Sequence, residues 1–174
     1  MNKEFLELLK KRRSVRHFSE QKVESEKIEA ILEAALTSPS SKNTRAWNFY
    51  IIQDKTIIEK LSQSKPMGGR FLKGAPLAIV ITGDENITDM WVEDCSIAST
   101  IIQLAAEEQG LGSCWIQIRG RYNDEQQTIF AEQYIHELLN IEPNRRVLNI
   151  IALGYDLNER AHRDNNNDNK VIFI

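Results

Sequence analysis

Residues 12–16 read Arg12-Arg13-Ser14-Val15-Arg16, three guanidinium groups and a hydroxyl within five positions. The stretch falls where an amphipathic helix is expected to end, because Phe5, Leu6, Leu8 and Leu9 give the preceding residues one apolar face. Packing of that face would hold the arginines in a fixed place. Paired guanidinium N–H groups match the oxygens of a phosphate, and a serine hydroxyl or free backbone N–H groups complete such a cage. Taken alone, Lys10 to Arg13 serve equally well as solvated cations complementing a helix C-terminus.

Two further segments extend the pattern. Ser38-Pro39-Ser40-Ser41-Lys42-Asn43-Thr44-Arg45-Ala46-Trp47 follows a second amphipathic helix and leads into the strand-like Trp47-Asn48-Phe49-Tyr50-Ile51-Ile52. Gly110-Leu111-Gly112-Ser113-Cys114-Trp115-Ile116 follows the longest helix candidate and leads into another apolar strand. With the opening read through to Phe18 and the strand end Ala152-Leu153-Gly154-Tyr155, four segments stand in order over nearly the whole chain. In that order they resemble the nitroreductase-like family of FMN flavoproteins. Its pattern is Arg-Arg-Ser-x-Arg-x-Phe, Pro-Ser-x-x-Asn-x-Gln-Pro-Trp, Gly-Leu-Gly-x-Cys-Trp and Ala-Leu-Gly-Tyr. The resemblance implies an α+β fold with a central, mostly antiparallel sheet flanked by helices. It also implies a C-terminal strand added from the partner subunit of a homodimer.

Length and charge agree with a small enzyme. The 174 residues suit one domain spanning 1–174, with 156–174 as a tail that wraps the partner. A formal net charge of −3 argues against a nucleic-acid surface, which needs a broad basic face. No apolar run approaches the ~20 residues of a membrane span, and Met1-Asn2-Lys3-Glu4 lacks a signal-peptide core, so a cytoplasmic protein is expected. Cys95 and Cys114 form no C-x-x-C pair and read as small buried hydrophobes.

The periodicity predicts a helix over 25–36 with Ser25 as N-cap, and a short helix carrying Ile57, Ile58 and Leu61 capped by Asp54. Lys65 to Gly69 reads as a loop, Leu77 to Ile81 as a buried strand, and Val147 to Leu153 as another. Trp91 to Gln109 reads as a helix apolar on several sides, suited to a core or a subunit interface, with Gly110 at its C′ position. A further helix is expected over 124–139, opened by Asp124. The polar spacer from Asp156 to Lys170 precedes an apolar Val171-Ile172-Phe173-Ile174, a segment that wants a sheet edge to join.

Competing motifs are incomplete. Gly110-x-Gly112 lacks the third glycine of a dinucleotide fingerprint and precedes a strand. His136-Glu137-Leu138-Leu139-Asn140 has asparagine where a zinc motif needs its second histidine, there is no P-loop lysine sequence, and the three histidines are scattered.

What the resemblance implies about the site can be stated residue by residue. Arg12, Arg13 and Ser14 would hold the FMN phosphate and ribityl end, while Arg16 would lie near the pyrimidine edge and stabilise charge on the reduced ring. Pro39, Ser40, Ser41 and Asn43 match a loop that reaches the flavin across the dimer interface. Arg45-Ala46 departs from the family's Gln-Pro there. Cys114, Trp115, Gln117 and Ile118 match the segment passing the ring, where a backbone N–H faces N5; Ile118 stands where glycine is frequent. Arg160 and Arg163 are the candidates for a C-terminal basic residue at the phosphate.

Two function classes follow. One is an FMN-dependent NAD(P)H oxidoreductase: NADH or NADPH is the co-substrate, and hydride passes through flavin N5 in a ping-pong cycle to a nitroaromatic or quinone. The other is a flavin-binding protein with a non-redox or sensing role. No catalytic side chain and no metal are expected.

Overall fold

The computed structural model describes residues 3–158 and 172–174. In chain order its elements are α1 (Lys3–Lys11), α2 (Ser25–Leu36), β1 (Trp47–Ile52), α3 (Lys55–Ser62) and α4 (Pro66–Gly69). These are followed by β2 (Leu77–Asp84), α5 (Trp91–Glu108), β3 (Gly112–Gln117), α6 (Ala131–Leu139) and β4 (Arg145–Gly154). The four strands form one antiparallel sheet in the order β1-β2-β4-β3. The fold is the α+β architecture expected from the four motifs.

Helices cover both faces of this sheet. Ala78, Val80, Ile150, Ala152 and Ile116 point to one side, into a core with Ile58 and Leu61 of α3 and Ile135 of α6. Their neighbours Leu77, Ile79, Ile81, Ile151 and Leu153 point to the other, into a core with Ile31 of α2 and Cys95, Ala98 and Ile102 of α5. Two-sided burial explains why β2 reads as an unbroken apolar run although its partners are antiparallel. Asp54 caps α3 as expected, its carboxylate accepting the Ile57 N–H at 2.9 Å.

Three local expectations are corrected. Ser25 is the first residue of α2 and Glu24 occupies the cap without a side-chain bond, because its carboxylate accepts the Tyr155 hydroxyl at 2.6 Å. Residues 124–130 are not helical and α6 begins at Ala131. The Asp124 carboxylate accepts the N–H groups of Thr128 and Ile129 and the Thr128 hydroxyl, closing a loop that a helix N-cap would have opened. Around it Asn123 N–H bonds Ile129 O, Ala131 N–H bonds Arg121 O, and Tyr122 stacks on Phe130. Lys65 to Gly69 contains the one-turn α4, but Met67 (φ −89°, ψ 105°) and Gly68 (φ 84°) leave helical geometry, so its character is that of a turn.

The tail expectation falls mostly on residues 159–171, outside those described. Ile172, Phe173 and Ile174 are exposed. Along α5, Trp91, Cys95, Ala98, Ile102 and Ala106 face the core. Exposed Met90 and Ile97 lie on the helix's outer side, with Phe5 and Leu9 exposed on the neighbouring α1.

Two glycines admit the N-terminal segment to the sheet. Gly112 and Gly154 are register partners on β3 and β4, and an added Cβ at Gly112 would lie 2.6, 2.8 and 2.9 Å from three carbons of Val15. At Gly154 it would lie 2.6 Å from a Pro76 carbon. Gly112→Ala should therefore lower the free energy of unfolding by roughly 1–3 kcal/mol, the cost of overpacking, as measured by urea denaturation. An unchanged midpoint would show that Val15 yields freely.

Candidate functional site

The arginine stretch leaves α1 and docks beside β3, an edge strand. Ser14 bridges Ser113 in parallel, and the Val15 N–H donates to Ser113 O at 2.9 Å. Val15 is buried. In extended chain, successive side chains alternate sides, so burying Val15 turns Arg12, Ser14 and Arg16 to one face and Arg13 to the other. Arg13 accordingly folds back, its Nη1 donating to Lys10 O at 2.9 Å and Arg12 O at 3.0 Å at the end of α1. Arg16 lies over the Phe71 ring, 5.7 Å from its centroid.

These groups converge on Cys114. Burial pushes its thiol up, opposed by the field of Arg16, the nearby Ser14 hydroxyl, and the fields of Arg12 and Lys65. Lys65 was not singled out in the sequence. Burial lowers its ammonium first, and the nearby Arg121 adds to that. Among the described residues no ion pair involves Arg12, Arg16 or Lys65. The donor set is three cations and a hydroxyl without a carboxylate, which fits a phosphate and a second negative charge close by.

The rest of the β3 segment divides by role. Trp115 Nε1 donates to Gln117 Oε1 at 2.9 Å, and Gln117 Nε2 donates to Arg119 O at 3.0 Å, so the amide is engaged at both ends. Ile118 is fully buried in the core. Its branched side chain therefore leaves the exposed side of the strand open, as the family's glycine would.

The second group lies elsewhere. Pro39 is exposed, and Ser41–Asn43 make a single 3-10 turn. Lys42, Asn43 and Arg45 have φ of 49°, 55° and 49°, left-handed values unusual outside glycine. Ser40 Oγ accepts the Arg45 N–H at 3.0 Å, and Asn43 Oδ1 accepts Arg45 Nε at 3.1 Å. Arg45, standing where the family pattern has glutamine, thus closes on its own loop. Ala46 is buried, and its carbonyl accepts Arg145 Nη1 and the Asp84 N–H. Beneath the loop, Asp94 Oδ1 accepts the Ser41 N–H at 2.8 Å.

Within one chain the two groups stand at opposite sheet edges, the loop before β1 and the arginines beside β3. Three strand spacings separate those edges, about 14 Å. The loop leads into Trp47, level with Gly83, while Ser113 is level with Leu153 and Leu77; the six residues of β2 between them add about 20 Å along the strands. Arg160 and Arg163 lie outside the described residues. No described helix is long and apolar enough to cross a membrane.

The helix-covered antiparallel sheet thus carries at its β3 edge a group of cations that, among the described residues, has no ion pair. The nitroreductase family model matches residues 9–68 and 61–155. A relative from Archaeoglobus fulgidus, provisionally named an NADH dehydrogenase/NAD(P)H nitroreductase, is 36% identical over 161 residues, covering 90% of this chain and 88% of its own. A protein of the same name from Methanothermobacter thermautotrophicus is 36% identical over 162 residues, covering 91% and 81%. The solved structure of an FMN-dependent nitroreductase from Clostridium difficile R20291 superposes with a TM-score of 0.92 at 46% identity, covering 97% and 98%. The chain belongs to the nitroreductase family and is an oxidoreductase.

Both cysteines are free and buried, and burial pushes the Cys95 thiol up to about 12. A raised thiol pKa keeps the unreactive protonated form through neutral and mildly alkaline pH. Native protein at pH 8 should therefore show almost no reaction with a thiol reagent, and two thiols should titrate in denaturant. Rapid native labelling would contradict the buried placement.

Proposed function

We propose that the chain is an FMN-dependent NAD(P)H oxidoreductase, reducing an electron-poor small molecule such as a nitroaromatic or quinone, and that it works as a homodimer. The observation that carries this reading is that Arg12, Ser14, Arg16 and Lys65 all act on Cys114, while among the described residues none of the three cations is in an ion pair. Bound FMN supplies the hydride relay between two substrates that use the same seat in turn.

The chain's own residues do the rest. Arg12, Arg13 and Ser14 hold the phosphate and ribityl end, Arg13 with its Nη1 braced on Lys10 O and Arg12 O. Arg16, aligned by Phe71, faces the pyrimidine edge and favours negative charge there before any reaction begins. The backbone of Cys114 to Ile118 forms the rail along the ring. Arg160 and Arg163 are the proposed C-terminal contributions to the phosphate.

The dimer follows from the two separated groups. Pro39, Ser40, Ser41 and Asn43 reach the cleft only if a second chain presents them, and the exposed apolar side of α5 with Phe5 and Leu9 offers the surface. The tail from 156 to 174 is proposed to wrap the partner. Two free thiols suit a reducing compartment, which supports a cytoplasmic location.

The purified protein should be yellow, release FMN on denaturation, and consume NADH or NADPH with a quinone. A colourless protein that fails to bind added FMN would refute the reading, and FMN binding without turnover would favour a sensing role. Arg12→Ala should weaken FMN by about 1.5–3 kcal/mol, the worth of a charge-assisted hydrogen bond, and riboflavin far less. Arg16→Ala should lower the reduction potential of the bound flavin and leave the FMN-to-riboflavin preference intact.

Sedimentation tests the assembly. Full-length protein should run as a dimer, and deleting 168–174 should weaken association and FMN occupancy together, since both draw on one surface. A full-length monomer with tightly bound FMN would overturn the shared site.

A further inference from the structure

Asp94 carries a carboxylate into the interior. It lies in the first turn of α5 among Trp91, Cys95 and Ala98, and is 3% exposed. Its Oδ1 accepts the Ser41 N–H at 2.8 Å, while Oδ2 is buried without a hydrogen-bond partner. Placement at the N-terminal end of a helix offsets part of the cost of burying the charge, because the first-turn N–H groups carry partial positive charge. The Ser41 N–H supplies the hydrogen bond to Oδ1.

What it holds is a loop in an unfavourable conformation. Three non-glycine residues between 42 and 45 have positive φ. The bonds from Asn43 N–H to Ser40 O, Thr44 N–H to Ser41 O, and Arg45 N–H to Ser40 Oγ are internal to the loop. Among the described residues, the bond from Ser41 to Asp94 is the hydrogen bond that ties residues 39–45 to another element. Ser38 Oγ and Thr44 Oγ1, each three residues from Ser41, are also buried without a partner, so the flanks add no further hydroxyl bond to the body of the protein.

We infer that Asp94 is a positioning residue, which fixes the strained turn at Ser41–Asn43 from beneath and so sets the approach of Ser40, Ser41 and Asn43 to the flavin ring. The inference rests on the FMN reading proposed above. Because Asp94 sits on α5, whose outer side is the proposed dimer surface, it also links assembly to the loop that each chain offers its partner.

The test compares FMN and riboflavin affinities, and the visible circular dichroism of bound flavin, in wild type and variants. Asp94→Ala should weaken both ligands by about tenfold or more and alter the dichroism, since the loop serves the ring and not the phosphate. Asp94→Asn, which keeps an acceptor oxygen for the Ser41 N–H, should stay within about threefold of wild type. Ser41→Pro removes that N–H and should bind both ligands about tenfold more weakly than Ser41→Ala, which removes the hydroxyl alone. This comparison holds even where Asp94→Ala does not fold.

Asp94→Ala binding both ligands like wild type, or losing FMN while keeping riboflavin, would overturn the inference. So would Asp94→Asn as weak as Asp94→Ala, or Ser41→Pro equal to Ser41→Ala. Wild type that binds no flavin would bring down the function proposal and this inference with it; wild type that binds while the variants do not differ removes the inference alone.

Discussion

The hydrogen bond from the Val15 N–H to Ser113 O is the constraint on which the site depends. It registers an extended N-terminal segment against the edge of the sheet, and the glycine pair 112 and 154 leaves room for Val15 and Phe18 to pack there. Once Val15 is inside, alternation gives Arg12, Ser14 and Arg16 no choice of side. A helix would not do this: at 3.6 residues per turn Arg12 and Arg16 would share a face, but Ser14, about 200° around from Arg12, would point away from them. The shared face of Arg12, Ser14 and Arg16 thus comes from a change of backbone period directly after α1.

Charge pairing distinguishes these cations from arginines that serve the fold. Arg146 is held by Glu132 through two bonds of 2.9 and 3.0 Å and by Glu85 at 2.8 Å, while Glu132 also accepts the Val147 N–H. That network joins α6 to β4 and consumes its own donors. Among the described residues Arg12, Arg16 and Lys65 have no such acids, and burial and the nearby Arg121 both disfavour the Lys65 ammonium. Cations left close together without counter-charge raise the energy of the free protein, and an anion that enters relieves it.

The strands, α5 and the arginine stretch were legible because each depends on local pattern: apolar runs, a helical apolar repeat, and a spacing of charged residues. The start of α6 was not, since Asp124 is as good a ligand for loop N–H groups as for helix N–H groups, and only the tertiary pairing of Asn123 with Ile129 decides between them. Ser25 lost the cap position because Glu24 was drawn to Tyr155, 131 residues away in sequence. Lys65 and Asp94 were missed for a related reason. One stands just before a Pro-Met-Gly-Gly turn and the other is one of two adjacent acids at the start of a largely apolar helix, and neither spacing announces that its neighbours in space are the arginines or the Ser41 loop.

The sheet order supplies the last step. With β1 and β3 at opposite edges, a chain that carries its anion cradle beside one and its serine loop before the other cannot bring them together by any small movement, because β2 and β4 stand between them as the most buried strands. A twofold axis can. In the proposed dimer it would set the β1 loop of each chain against the β3 edge of the other, and each copy would complete the other's site while keeping its own sheet rigid. The apolar residues left outward on α1 and α5 need cover for the same reason, so in the proposed dimer the burial that stabilises association is also what assembles the cofactor site. Affinity for flavin and affinity between chains would then rise and fall together, as linkage requires of two processes that share one surface.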